Sequence, residues 1–260
     1  MVLQLWHVGR ISDPVYLDGA LPLAPSAIAP KGTVSMIRPQ KPYVTPRALE
    51  TAELPGIVAA FRPGAQNAEA AGFDGVEIHG ANGYLLDQFL QDKSNQRGDA
   101  YGGPVENRAR LMLEVADAVL SVFGAGRVGM HLAPRCDSHD MGDSDPATTF
   151  AYLARELGKR RLAFICARES LDGKRLGPQL KAEFGGAYVV NEGFTQEAGA
   201  AALSAGEADA VAYGKLFIAN PDLPQRFRLG ASLNAWNAST FYSAGAEGYV
   251  DYPELAEAAE

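Results

Sequence analysis

The chain has 260 residues, 47% hydrophobic and 21% charged, with 28 Gly and 16 Pro, which is the makeup of a folded globular protein. Its 31 acidic and 23 basic residues give a net charge of −8, and no Lys/Arg run could track a phosphate backbone, so neither nucleic acid nor an anionic membrane is expected as a partner. Cys136 and Cys166 form neither a CxxC metal pair nor a disulfide framework, and no apolar stretch approaching about 18 residues and no export signal is visible, so a reducing cytoplasmic setting is expected.

In chain order, short apolar runs alternate with longer helix-like segments, the pattern of a βα series around a parallel sheet. Strands are predicted at Val2–Trp6, Gly75–His79, Val128–Leu132, Ala163–Cys166, Ala187–Val190 and Ala210–Tyr213. The stretch Ile11–Val44 carries Pro14, Pro22, Pro25, Pro30, Pro39 and Pro42 without sustained periodicity and reads as a long loop, a lid or one wall of a site. Helices are predicted at Pro46–Ala71, Glu106–Phe123, Pro146–Arg160, Gly177–Phe184, Thr195–Ala205 and Pro221–Leu229, several opening on a cap-plus-proline start. Arg62-Pro63-Gly64 interrupts the first of these, where proline removes a backbone bond at about 3 kcal/mol or more, so a kink or break is expected. No repeat or linker divides the chain, which suggests one domain over 1–260, and the alanine- and glutamate-rich tail after Glu254 is expected to fray. Parallel α/β barrels reach about 250 residues as one domain.

In such a barrel, strand residues alternate between the interior and the helix layer, and functional groups sit at the C-terminal strand ends. Gln4 and Trp6 share one face of the first strand, Glu77 and His79 one face of the second, and Gly129 and His131 one face of the third. His79 and Asn82, three apart at a strand-to-helix turn, can both donate to one acceptor and so polarise a carbonyl or nitro oxygen. Tyr84 follows closely, and a phenol there could protonate a developing carbanion. Gly193, in Asn191-Glu192-Gly193-Phe194-Thr195, and Gly214-Lys215 each follow a late strand, the usual place for a phosphate cradle of backbone N–H groups and one cation.

These residues resemble the flavin-dependent old yellow enzymes, especially the N-ethylmaleimide reductase and 12-oxophytodienoate reductase branch. The resemblance runs in order through Leu3-Gln4-Leu5-Trp6-His7-Val8-Gly9-Arg10, Gly75-Val76-Glu77-Ile78-His79-Gly80-Ala81-Asn82-Gly83-Tyr84-Leu85, Ser94-Asn95-Gln96-Arg97 with Tyr101-Gly102-Gly103, Asp140 to Pro146, and Phe217 to Leu223. It implies a TIM (β/α)8-barrel-like α/β fold with about six of the eight βα units in this chain. The implied activity is an FMN-dependent ene-reductase that passes hydride from NADPH or NADH to a small-molecule activated alkene: an α,β-unsaturated carbonyl, maleimide or nitro compound. Gln4 and His131 would contact the flavin, Gly193, Gly214 and Lys215 its phosphate. Trp6, His79, Asn82 and Tyr242 would line the substrate pocket, and Tyr84 would supply the proton.

Several positions depart from the family pattern. The chain opens at what resembles the third barrel strand, about a hundred residues short of a typical barrel, which implies a homo-oligomer or a complementing chain. His131 and Lys215 stand where arginines are usual, and Arg135, Cys136, Pro63-Gly64 and Ser243-Ala244 also differ. A truncated, inactive family member is the alternative. A metal-dependent hydrolase built on His7, His79 and His131 is a more remote one, and parity places His7 opposite Gln4 and Trp6.

Overall fold

The computed structural model describes residues 1–242 and 245–255, so Ser243, Ala244 and the tail from 256 onward lie outside the described residues. The chain opens with β1 (Val2–Leu5). The proline-rich segment that follows holds a 3-10 turn at Pro14–Tyr16 and a short strand β2 (Leu23–Ala24), which pairs in parallel with β3 (Arg47–Ala48). After α1 (Leu54–Ala70) come β4 (Gly75–Gly80), α2 (Leu85–Leu90), α3 (Val105–Arg108) and α4 (Arg110–Phe123). The later units are β5 (Val128–Leu132), α5 (Pro146–Lys159), β6 (Phe164–Arg168), α6 (Gly177–Phe184), β7 (Ala187–Asn191) and α7 (Gln196–Ser204). The short strand β8 (Ala210–Val211) precedes α8 (Lys215–Ala219) and α9 (Leu223–Leu229).

The main sheet has the order β1-β4-β5-β6-β7-β8, with every pair parallel, as expected of six successive units of a (β/α)8-type barrel. Its outer face is the core. Val76, Ile78, Val128, Met130 and Leu132 are fully buried, as are Leu111, Met112, Val115 and Val119 of α4 and Phe150, Leu153 and Leu157 of α5. Each such side chain contributes about 1.5–3 kcal/mol on burial, which fixes the parity of every strand. Residues of opposite parity face inward. Gly129 is required there because a Cβ would meet the Phe164 ring of the next strand at 2.2 Å. Among the described residues no helix is long and apolar enough to cross a membrane.

Several local expectations change. The break at Pro63 is absent, and α1 runs continuously from Leu54 to Ala70. Pro63 is exposed, while Phe61, Ala65 and Ala68 are buried in the core, and their burial offsets the lost backbone bond. The helix expected from Pro46 begins eight residues later in sequence terms, at Leu54, because Arg47 and Ala48 pair with β2 instead. The Ile11–Val44 segment is irregular but anchored, with Arg10 reaching from its start to Ile28 O at 3.1 Å. The single helix expected over Glu106–Phe123 is divided at Ala109, next to Arg108, whose buried guanidinium donates to Leu90 O at 2.7 Å and to Asp143.

Candidate active site

Strand register assembles the first group of polar residues. Gln4 pairs with Glu77, and His79 with His131. Gln4 Nε2 donates to Glu77 Oε2 at 2.6 Å and lies 3.4 Å from His131 Nδ1. The His79 and His131 rings stack with centroids 5.0 Å apart at 13°. Tyr84 stands edge-on to Trp6 at 4.7 Å and to His79 at 5.1 Å. Trp6 is 53% exposed, a wall at the opening of this cluster, whereas His79 is 6% exposed.

The turn from β4 into α2 places Asn82 and Tyr84. Asn82 and Gly83 both have left-handed backbones, φ +58 and +77. At Gly83 a Cβ would come within 2.7 Å of Met141 and 2.8 Å of Ser138 O, so glycine is needed there for both reasons. Asp87, fully buried in α2, accepts the Gly83 N–H at 2.8 Å and the Gln91 side chain at 2.7 Å. Burial pushes its carboxyl up to about 7 despite these bonds. From the other side, His139 Nδ1 hydrogen-bonds Asn82 O at 2.7 Å. The turn is therefore clamped at consecutive residues.

Electrostatics set the protonation states. Burial, reinforced by His131, pushes the His79 imidazole down to about 3; burial, reinforced by Arg168, pushes His131 down to about 4. Both rings are neutral near pH 7. Burial is also the main cause that raises the Tyr84 phenol, followed by Tyr43 and Tyr242, so it keeps its proton. Among the described residues, buried His79 Nδ1 and His131 Nε2 have no hydrogen-bond partner, and such groups cost about 1–3 kcal/mol when left unsatisfied.

The late strands build a different region. A cavity of 1110 Å³ is bounded by Arg168, Glu192, Gly193, Gly214, Lys215 and Tyr242, among others. A Cβ on Gly214 would meet nothing within 4 Å, and one on Gly193 only Leu171 at 3.9 Å, so both backbones border open space. Lys215 Nζ lies 4.6 Å from the Trp236 ring centroid, a cation–π contact that holds the ammonium at the cavity. Tyr242 is 83% exposed at its rim. Gln4, Trp6, His79, Asn82, Tyr84 and His131 are not part of this lining.

Arg168, a residue the sequence reading did not single out, joins the two regions. It lines the cavity, and its guanidinium donates to Asn82 Oδ1 at 3.0 Å, Ser138 Oγ at 3.2 Å and Glu192 Oε1 at 3.0 Å. The predicted strand stopped at Cys166, two residues early. Alternation of Phe164, Cys166 and Arg168 against buried Ile165 and Ala167 is the signal that finds it. Arg135 pairs with Asp172 and with the buried Glu169, and Cys136 Sγ contacts Ser138 Oγ at 3.2 Å. Among the described residues no three His, Cys, Asp or Glu side chains are placed to hold a metal ion, and His7 Nδ1 accepts the Gly9 N–H at 3.1 Å.

A family model described as NADH:flavin oxidoreductase / NADH oxidase matches residues 1–234. A putative 12-oxophytodienoate reductase 6 of Oryza sativa subsp. japonica is 46% identical over 270 residues, covering 98% of this chain and 67% of that protein. The 12-oxophytodienoate reductase 2 of Arabidopsis thaliana is 42% identical over 266 residues, covering 97% and 70%. Among solved structures, morphinone reductase in complex with tetrahydroNAD superposes with a TM-score of 0.93 at 46% identity, covering 98% of this chain and 73% of that one. The old yellow enzyme homologue from Zymomonas mobilis gives a TM-score of 0.94 at 39% identity, covering 98% and 74%.

Proposed function

Because the chain belongs to the NADH:flavin oxidoreductase / NADH oxidase family of FMN-dependent enzymes, we propose that it is an ene-reductase: it takes hydride from NADPH or NADH and delivers it to an activated alkene. The observation that supports this reading most is the edge-on contact of Tyr84 with His79 at 5.1 Å, a phenol and an imidazole flanking the Asn82 turn that follows β4. Relatives named for 12-oxophytodienoate and morphinone support an unsaturated ketone as acceptor, and the complex with tetrahydroNAD supports a nicotinamide donor.

The residues present fit FMN. The 1110 Å³ cavity exceeds the roughly 300–1,000 Å³ of ordinary ligand pockets. Gly193 and Gly214 leave backbone open to it, Lys215 supplies a cation for the phosphate, and the unpartnered His131 Nε2 is a buried ring nitrogen that a flavin edge could satisfy. Gln4, held by Glu77 through its amide nitrogen, keeps an amide oxygen with no partner among the described residues. When bound, the flavin supplies a two-electron store between the nicotinamide and the alkene.

The chain's own groups then act on the acceptor. His79 and Asn82 donate to its carbonyl or nitro oxygen, which draws electron density from the β-carbon and makes that carbon electrophilic. Tyr84, kept protonated by burial, gives its proton to the α-carbon. Trp6 forms the exposed wall beside His79, and Tyr242 stands exposed at the cavity rim. Beside Gln4, His131 is a neutral imidazole, its pKa lowered by burial and by the Arg168 charge.

Titration of the purified protein with FMN, followed by absorbance and Tyr/Trp fluorescence, tests the reading. Stoichiometric uptake and anaerobic bleaching by NADPH are expected. A folded protein that stays colourless contradicts it.

A further inference from the structure

An asparagine amide has two ends with opposite capabilities: its oxygen only accepts, and its nitrogen only donates. Polarising an acceptor oxygen needs the nitrogen end. Steric shape alone hardly distinguishes the two orientations, so something must choose between them. At Asn82 the choice is made by Arg168. A guanidinium carries five donors and no acceptor and stays charged in proteins, so the amide atom 3.0 Å from Arg168 Nη1 is the oxygen. The N–H groups are then turned away from the guanidinium.

Arg168 is itself fixed. It stands at the end of β6, in register with Asn191 of β7, and its guanidinium also bonds Ser138 Oγ and Glu192 Oε1. The backbone of Asn82 is held separately by His139 and, one residue on, by the Asp87 carboxylate at Gly83. Main chain and side chain are thus constrained by different groups. A charge-assisted bond to the amide oxygen also draws density out of the amide and strengthens its N–H groups as donors.

We propose that Arg168 is a positioning residue for alkene reduction: it locks the Asn82 amide with its N–H groups available to the acceptor oxygen, while Glu192 and Ser138 hold the guanidinium in place. The proposal rests on the reading of Asn82 as an acceptor ligand. It assigns the residue joining the cavity to the polar cluster a task that neither region performs alone.

The test uses ¹⁵N-labelled protein, native and Arg168→Met, with and without FMN. Asn82→Ala identifies the Asn82 side-chain amide resonances, and thermal melts confirm folding of each variant. In the native protein those resonances are expected well away from free-amide positions; Arg168→Met collapses the displacement, and Arg168→Lys restores part of it. A second readout is the carbonyl stretch of ¹³C-labelled cyclohexanone bound to the FMN-loaded protein. It should rise toward its free value in Arg168→Met and Asn82→Ala alike, with kcat/KM for 2-cyclohexen-1-one lower by about 10- to 100-fold. Unmoved amide resonances in folded Arg168→Met overturn the proposal, as does a moved resonance with an unchanged carbonyl stretch. If Asn82→Ala itself leaves the stretch unchanged, the acceptor reading of Asn82 fails, and the proposal with it.

Discussion

The two ends of one parallel sheet are built on opposite physical plans. At β1, β4 and β5, aromatic and imidazole rings fill the space, His79 and His131 stack at 5.0 Å, and polar groups hold one another through Gln4, Glu77 and the clamped Asn82 turn. At β7 and β8, glycines and a lysine border a 1110 Å³ opening. Chemistry gains from dry, preorganised donors, whose orientation is settled before the substrate arrives. A large cofactor gains from room and exposed backbone. On the proposed function, these tasks divide between the clamped β4 turn and the open late loops, and Arg168, which lines the cavity, hydrogen-bonds Asn82 across them.

This contrast is open to attack from either side. The largest effect is expected at the packed end: His79→Ala removes one of two donors and should lower kcat for enone reduction by about 10²- to 10³-fold without weakening FMN binding. Equal loss of FMN affinity would show that the two ends are not separate. Tyr84→Phe keeps the ring contacts with Trp6 and His79 but removes the proton, for an expected loss of about 10²-fold in alkene reduction, read by stopped-flow against an unchanged rate of flavin reduction by NADPH. At the open end, Lys215→Ala should raise the FMN dissociation constant about tenfold, measured by fluorescence titration, with little change in kcat at saturating FMN.

The smallest expected effect is in stability against pH. His79 and His131 titrate near 6.5 when unfolded but near 3 and 4 in the fold, so between about pH 4 and 6.5 the unfolded chain binds more protons. Stability then rises with pH, by at most about 1.4 kcal/mol per pH unit for each ring. Asp87 opposes this: its carboxyl, 3.8 when unfolded and about 7 in the fold, contributes stability at low pH that is lost as pH rises toward 7. Denaturant melts at pH 4.5, 5.5 and 6.5 should therefore show a shallower rise in His131→Gln and a steeper one in Asp87→Asn. Identical slopes in all three proteins would contradict the assigned burial.

The packed end was the more legible in the sequence. Buried parallel strands carry dense apolar runs, so Val76/Ile78 and Val128/Met130 revealed which side was core, and the opposite parity gave His79 and His131 directly. Glycine turns after late strands likewise marked Gly193 and Gly214. What escaped depends on distant partners. Arg168 looked like a residue beyond its strand, because a charged side chain ends the apolar run while still extending the ladder beside Asn191. Thr45-Pro46 looked like a helix start, yet Arg47 and Ala48 were claimed by β2. Pro63 carries a strong local signal for a break, and burial of Phe61, Ala65 and Ala68 overrode it. The seat of Lys215 on Trp236 has no local signature at all.

The most direct test of the central claim is anaerobic re-oxidation of the NADPH-reduced, FMN-loaded protein by one equivalent of 2-cyclohexen-1-one, with the flavin followed at its visible band and the product by gas chromatography. The account predicts that the yellow colour returns and that one cyclohexanone forms per flavin. A flavin that stays bleached beside unreacted enone would contradict it.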